Sequence, residues 1–316
     1  MTTFFLNRLA AEPHALAFAG QSTPWPVALA DQTTDPSLDE ALRGHVAAAG
    51  RPVDLFGFAP NPARLGAAAD ATASVEGVAL TQLGALLDLE HLGYSVAQAK
   101  PLAVLGHSQG VLAVHMTRAI EAAGSIEAAG TTLDEILAVA ALIGAAGTRR
   151  VRELGLNPKY GEASPMLSVK GATRAQVEAL VARVNNARGP ISIAVTNSDN
   201  HHVLSGYPED LAAFALEAER EHQHQAKLRE QKLHGGTVFN PTLEYLEVTL
   251  PFHSPLMTDA VEQTVAWAGA CGFDQKRTRA LAEEVLLNHV DWNARVKALF
   301  DDADPSKLWI VDLGPG

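Results

Sequence analysis

Cysteine is all but missing. Cys271 is the one thiol in 316 residues, so no disulfide can close within the chain, which points to a reducing compartment and a cytoplasmic location. Positive charge is also in short supply. A formal net charge of -12 argues against nucleic acid and against an anionic membrane surface as partners, while leaving room for an acidic partner at a local basic patch. A leader is lacking too: "FFLNRLAAEPHALAFAG" echoes an A-x-A site, but Arg8, Glu12 and Pro13 interrupt any apolar run. No stretch reads as long enough to span a membrane, and there is no internal repeat or low-complexity linker.

What is present suits a sizeable folded core, with 47% hydrophobic and 19% charged residues. Short β-prone runs alternate with alanine-rich helical stretches, an α/β pattern. "HALAFAGQSTPW" reads as a first strand, His14 to Ala19, ending in a loop with Gly20 and Gln21. Residues 36–50 and 76–97 read as helices, and a further helix, "TLDEILAVAALIGAAGTRRVREL", is apolar on most faces and therefore buried. Between 163 and 250 the order strand, helix, strand, strand, helix, strand, closing with "EYLEVTL", predicts a ferredoxin-like subdomain inserted in a core formed by 1–162 and 251–316. The expected fold is a hydrolase-like parallel-sheet core carrying that insert. The final Gly-Pro-Gly suggests a chain cut from something longer.

"LAVLGHSQGVLAVHMTRAI", residues 102–120, carries the chemistry. Leu102 to Leu105 form a short apolar run, and Val111, Leu112, Met116 and Ile120 then recur at helical spacing. A strand turning straight into a helix at G-H-S-Q-G matches the nucleophile elbow, G-x-S-x-G. Gly106 and Gly110 permit the tight turn, and Ser108 stands at a helix N-terminus, where N–H groups favour a developing oxyanion. The alternative is a glycine-rich turn with an incidental serine.

A serine hydroxyl needs a base within hydrogen-bond reach, and twelve histidines are available. The side chain of His107, inside the elbow, is expected to point away from that of Ser108. His222 and His224 lie on a polar helix and read as solvated, and His201 and His202 begin a strand; no metal site is implied. His253, in "LEVTLPFHSPLMTDA", leaves a β-rich run just before a helix and is well placed to face an elbow, although a histidine capping that helix fits the same position. Residue patterns leave open whether an acid or a backbone carbonyl orients it.

Several segments together resemble the acyl-CoA:acyl carrier protein transacylases, the malonyl/acetyltransferase fold of fatty acid and polyketide synthases. They are "FAGQS" at 18–22, "GHSQG", "VTNSDNHHVLSG" at 195–206, "PFHSPLM" at 251–257, "LLNHVDW" at 286–292 and the terminal "DLGPG". The resemblance implies Ser108 as nucleophile, His253 as general base and the backbone N–H groups of Gln21 and Gln109 as oxyanion hole. It further implies that a main-chain carbonyl near "LLNHVDW", of Val285 or Asn288, orients the histidine. Asn197 is implied in acyl contact, a turn-forming role being the alternative.

One departure bears on the substrate. Malonyl-transferring members carry an arginine in the helix after the elbow, and the alignment puts Ile143 there; a carboxylate beside an aliphatic side chain would be buried unpaired. G-H-S-Q-G-V in place of G-H-S-L-G-E is similar to the acetyltransferase domain found N-terminally in bacterial type I fatty acid synthases. A shifted alignment would bring in Arg149 or Arg150 instead. Phe252 is expected to help shape a small apolar acyl pocket.

The resemblance thus implies ping-pong transfer of an acetyl group from acetyl-CoA, through an acyl-serine, to the phosphopantetheine thiol of acyl carrier protein, with no bound cofactor. Its partners would be that carrier and the other domains of a synthase. Arg149, Arg150 and Arg152, or Lys227, Arg229 and Lys232, are candidate docks, although a solvated helix face explains either set. The alternatives are a malonyl- or palmitoyl-type transacylase, a serine esterase or thioesterase, and a non-catalytic scaffold domain.

Overall fold

The computed structural model describes residues 6, 9, 11–21, 25–50, 54–58, 70–156, 163–184, 189–231, 239–301 and 303–314; Ser22, Lys232 and the final Pro-Gly lie outside them. Strand β1 (His14–Phe18) leads through helices α1 (Trp25–Gln32), α2 (Pro36–Ala48) and α3 (Ala71–His91) to β2 (Ala103–Gly106), with a separate helical turn at Val96–Ala99 where the expected 76–97 helix would have run on. A one-turn 3-10 helix, Ser108–Gly110, joins β2 to α4 (Val111–Ala123), and α5 (Ile126–Glu153) follows. Then come β3 (Met166–Lys170), α6 (Arg174–Arg183), β4 (Ser192–Ser198), β5 (His201–Ser205), α7 (Pro208–Glu230) and β6 (Thr242–Tyr245). Helices α8 (Thr258–Ala270) and α9 (Gln275–Leu286), strand β7 (Val290–Asp291), helix α10 (Trp292–Asp301) and strand β8 (Trp309–Asp312) complete the order.

Helix starts follow local chemistry. Asp35, Asp70, Ser125 and Asp274 accept backbone N–H bonds at the starts of α2, α3, α5 and α9, and Thr173 with Gln176 forms a reciprocal capping box on α6. Helix α3 is buried around almost its whole circumference, as its lack of a polar face requires. It packs along α5, whose length and composition would suffice to cross a membrane, contrary to the sequence expectation. In this fold Leu133, Ile136, Leu137, Val139 and Ile143 of α5 are buried in the main core.

β1 runs parallel to both neighbours in a sheet ordered β2-β1-β8. This is the parallel-sheet core, with strand ends directed at the elbow. The second sheet is ordered β6-β3-β5-β4-β7. Its first four strands pair antiparallel in the split β-α-β-β-α-β arrangement and share a separate core that includes Leu167, Val177, Leu204 and Phe214. The fifth strand was not expected: β7, close after the histidine-orienting segment, pairs parallel with β4 through Val195–Val290 and Thr196–Asp291. The strand expected over "EYLEVTL" starts earlier and ends at Tyr245. Leu246 N–H still bonds to Met166 O, but Val248 N–H then turns back to Leu246 O, and the chain leaves the sheet edge toward Phe252 and His253.

Candidate active site

The elbow is built by backbone crowding. His107 N–H bonds to Phe18 O, which ties the turn to the end of β1, and Gly110 N–H bonds to His107 O. Ser108 sits at φ +51°, a left-handed conformation that L side chains rarely adopt, so the turn holds it under strain with its hydroxyl projecting from the bend. A Cβ on Gly110 would lie 2.3 Å from Phe18 O and 2.6 Å from Ala19 O. Both are backbone atoms, so no rotamer change can relieve the overlap. Gly110→Ala is therefore expected to push β1 away from the elbow, destabilising the fold by about 1–3 kcal/mol or more and slowing acylation of Ser108 about 100-fold through misplacement. Thermal melts and single-turnover rates read the two effects separately; unchanged values in both would contradict this account of the turn.

His253 arrives from the other direction and is also strained, at φ +55°. Ser254 N–H bonds to Leu286 O at 3.0 Å, which pins the loop. The helix-capping role that competed for His253 is taken by Ser254, whose side chain accepts from Leu256 N–H. His253 is 2% exposed. Its Nε2 lies 2.7 Å from Ser108 Oγ, and its Nδ1 lies 2.8 Å from the carbonyl of Asn288. A carbonyl can only accept, so Nδ1 carries the proton and Nε2 offers its lone pair to the serine hydroxyl. Burial, opposed by the Asn288 hydrogen bond, holds the imidazole's pKa down to about 4, so the ring is neutral at physiological pH. Of the two carbonyls expected to orient the ring, Asn288 does so. Val285 is fully buried in the main core, because it lies a turn earlier on α9 with its apolar side chain facing inward.

Gln21 borders the cleft at Ser108, with its side-chain amide donating to Ser74 Oγ at 3.0 Å. Gln109 is the second residue of the 3-10 turn, where N–H groups lack intrahelical acceptors. Its side chain is buried and donates to Val75 O at 2.7 Å. Phe252 is buried and lines the cleft.

Three expectations change. The turn alternative for Asn197 fails, because it lies within β4; it lines the cleft, where an acyl contact was expected, and its Oδ1 accepts from His107 Nε2 at 2.8 Å. His107 does not point away from the site: it lines the same cleft as Ser108, with its ring edge-to-face against Trp292 at 5.3 Å. Nothing local signals this pair, because its members are 90 residues apart in sequence. Ile143 is fully buried in the main core and is not among the described residues that line the cleft.

The other candidates lie elsewhere. Arg149 pairs with Glu153 and Gln263, and Arg150 with Asp259 and the carbonyl of Leu256, on the outer side of α5 facing α8. Neither arginine lines the cleft. Arg152, Lys227 and Arg229 are exposed on helices. His222 is half-buried rather than solvated, donating from Nδ1 to Phe239 O, whereas His224 is exposed.

The cleft itself has a volume of about 420 Å³. One wall is the face of the second sheet, where Met166, Ser168 and Lys170 alternate along β3 and so point the same way. Met166, Leu246, Val248 and Phe252 make an apolar part. Ser168 with His201, and Lys170 with Glu244, make a polar part; the two pairs are 3.1 and 3.4 Å apart.

Residues 165–245 match the family described as "Fatty acid synthase central AT domain". Over 247 residues, 67% of the chain, identity is 29% to "Fatty acid synthase beta subunit TOXC" of Cochliobolus carbonum, of which this chain spans 11%. Among solved structures, FabD from Acinetobacter baumannii superposes with a TM-score of 0.65 at 20% identity, covering 96% of this chain and 88% of that one. A malonyl-transacylase solved in complex with its type II polyketide synthase acyl carrier protein gives 0.69 at 16% identity, covering 96% and 89%. At such identities the structural likeness establishes the fold.

Proposed function

We propose that this chain belongs to the acyl-CoA:acyl carrier protein transacylase family and moves an acetyl or other short acyl group from CoA to the phosphopantetheine thiol of a carrier protein within a larger synthase. The observation that carries the reading is the Ser108 Oγ–His253 Nε2 contact of 2.7 Å, with Nδ1 held by a main-chain carbonyl. His253 takes the hydroxyl proton as Ser108 Oγ attacks the thioester carbonyl. The oxyanion is met by the N–H groups of Gln21 and Gln109. Collapse breaks the C–S bond, and His253 returns its proton to the departing CoA thiolate. The pantetheine thiol then gives its proton to His253 and attacks the ester, and Ser108 recovers a proton as the new thioester leaves.

Transfer rather than hydrolysis is supported by the carbonyl on Nδ1, where an esterase triad would place a carboxylate. Carrier protein as acceptor is supported by the similar malonyl-transacylase solved with its carrier. The fungal relative supports a multidomain setting. An uncharged acyl group is supported by the cleft lining, which among the described residues includes no arginine. A malonyl reading has one observation in its favour: Lys170 lines the cleft, although Glu244 already pairs with it.

Intact mass spectrometry after brief incubation with acetyl-CoA or malonyl-CoA separates these readings. An acetyl adduct on Ser108 with little malonyl adduct is expected. A dominant malonyl adduct would assign Lys170 to the carboxylate, and rapid loss of the adduct to water without a carrier would indicate an esterase.

A further inference from the structure

Helix α3 contributes no residue to the cleft wall, yet it holds both segments that border Ser108. Gln82, fully buried in the middle of α3, donates from Nε2 to the carbonyl of Ala19 at 2.7 Å. Ala19 begins the Ala19-Gly20-Gln21 stretch that lines the cleft. Seven residues earlier on the same helix, the carbonyl of Val75 receives Gln109 Nε2 at 2.7 Å, and Ser74 Oγ receives Gln21 Nε2 at 3.0 Å. Both carbonyl partners can only accept, so the amide orientations are fixed by chemistry. Gln82 Oε1 and Gln109 Oε1 have no hydrogen-bond partner among the described residues. Gln82 thus meets the Ala19 carbonyl while its own Oε1 goes unmet, so part of what the bond gains for stability is offset and its positional effect on Ala19 stands out.

We infer that Gln82 is a positioning residue. Through the Ala19 carbonyl it sets the place of the Gln21 N–H, while the Val75 carbonyl sets that of the Gln109 N–H, so one rigid helix fixes the spacing of the two oxyanion donors. The inference rests on the proposed Ser108 chemistry, but it does not depend on which acyl group is loaded. A hole aimed at a tetrahedral oxygen is sensitive to displacements of about 1 Å, whereas ground-state thioester binding is not.

The test compares the parent with Gln82→Met, which keeps length and volume but loses the donor, and with Gln82→Asn, which keeps the amide but falls short of Ala19. Single-turnover acylation of Ser108 by acetyl-CoA and by malonyl-CoA is expected to fall by about 10- to 100-fold in both variants. Affinity for the same acyl-CoA, measured in a Ser108→Ala background, should stay within threefold. Labelling of Ser108 by a fluorophosphonate, whose phosphoryl oxygen occupies the same hole, should slow in parallel. Folded variants that acylate within threefold of the parent would overturn the inference, as would a loss of acylation matched by an equal loss of affinity. If neither CoA ester loads the parent, the proposed function fails, and the fluorophosphonate ratio still decides the role of Gln82. Should Gln82→Met not fold, Gln82→Asn carries the comparison.

Discussion

Ser108→Ala leaves no acyl-enzyme and slows acyl transfer to a pantetheine thiol by about 10⁴-fold or more, as expected when the nucleophile of a covalent mechanism is removed. Among the described residues that line the cleft, no other hydroxyl can substitute. Ser168 also lies in the cleft and contacts a histidine, with its Oγ 3.1 Å from His201 Nε2. It stands in the middle of β3, however, with its neighbouring N–H and C=O groups engaged in the sheet ladder and no helix N-terminus behind it. Ser108 has the positive-φ bend, the helix start and the buried neutral imidazole together. Intact mass of Ser108→Ala and Ser168→Ala after exposure to acyl-CoA makes the comparison. The adduct should vanish in the first and persist in the second. An adduct surviving in Ser108→Ala would move the nucleophile elsewhere.

His253→Ala should cost about 10³-fold in the acylation step, within the range associated with a positioned general base. Its burial adds a pH signature. With the pKa held at about 4, the lone pair on Nε2 stays free well into acid, so kcat/KM should decline only toward pH 4 instead of near 6.5, where an unperturbed imidazole would titrate. The same shift has a consequence for stability. Between pH 6.5 and about 4 the unfolded chain binds a proton at this residue that the folded chain does not, so the contribution is complete above 6.5 and is lost as pH falls. For His253 alone the difference amounts to about 3 kcal/mol, of which roughly 2 kcal/mol is gone by pH 5. Denaturant unfolding at pH 7 and pH 5 should show a smaller loss in His253→Ala than in the parent. An acid limb near 6.5 would mean an exposed imidazole and would contradict the buried geometry.

The elbow was legible because everything that makes it is consecutive: an apolar run, two glycines that allow backbone to touch backbone, and a helical repeat directly after. The split β-α-β-β-α-β order was legible for the same reason, each element announcing itself by its own periodicity and caps. The segment around His253 stood out by its exit from a β-rich run, and the residues at 18–22 by their likeness to a known family. These are local properties of the chain, and chain-neighbour sterics determine them.

Only the tertiary structure decided the rest. Val285 and Asn288 are three residues apart, and which carbonyl meets His253 depends on where α9 ends against the loop at Ser254. Ile143 is aliphatic wherever it is read; that it lies in the main core instead of facing the cleft follows from how the long helices pack together. His107 with Asn197, β7 beside β4, and Gln82 under Ala19 are all pairings between distant segments. A hydrogen bond between such segments needs both partners within about 3 Å, and that distance is set by the packing of the whole core, which no window along the sequence contains.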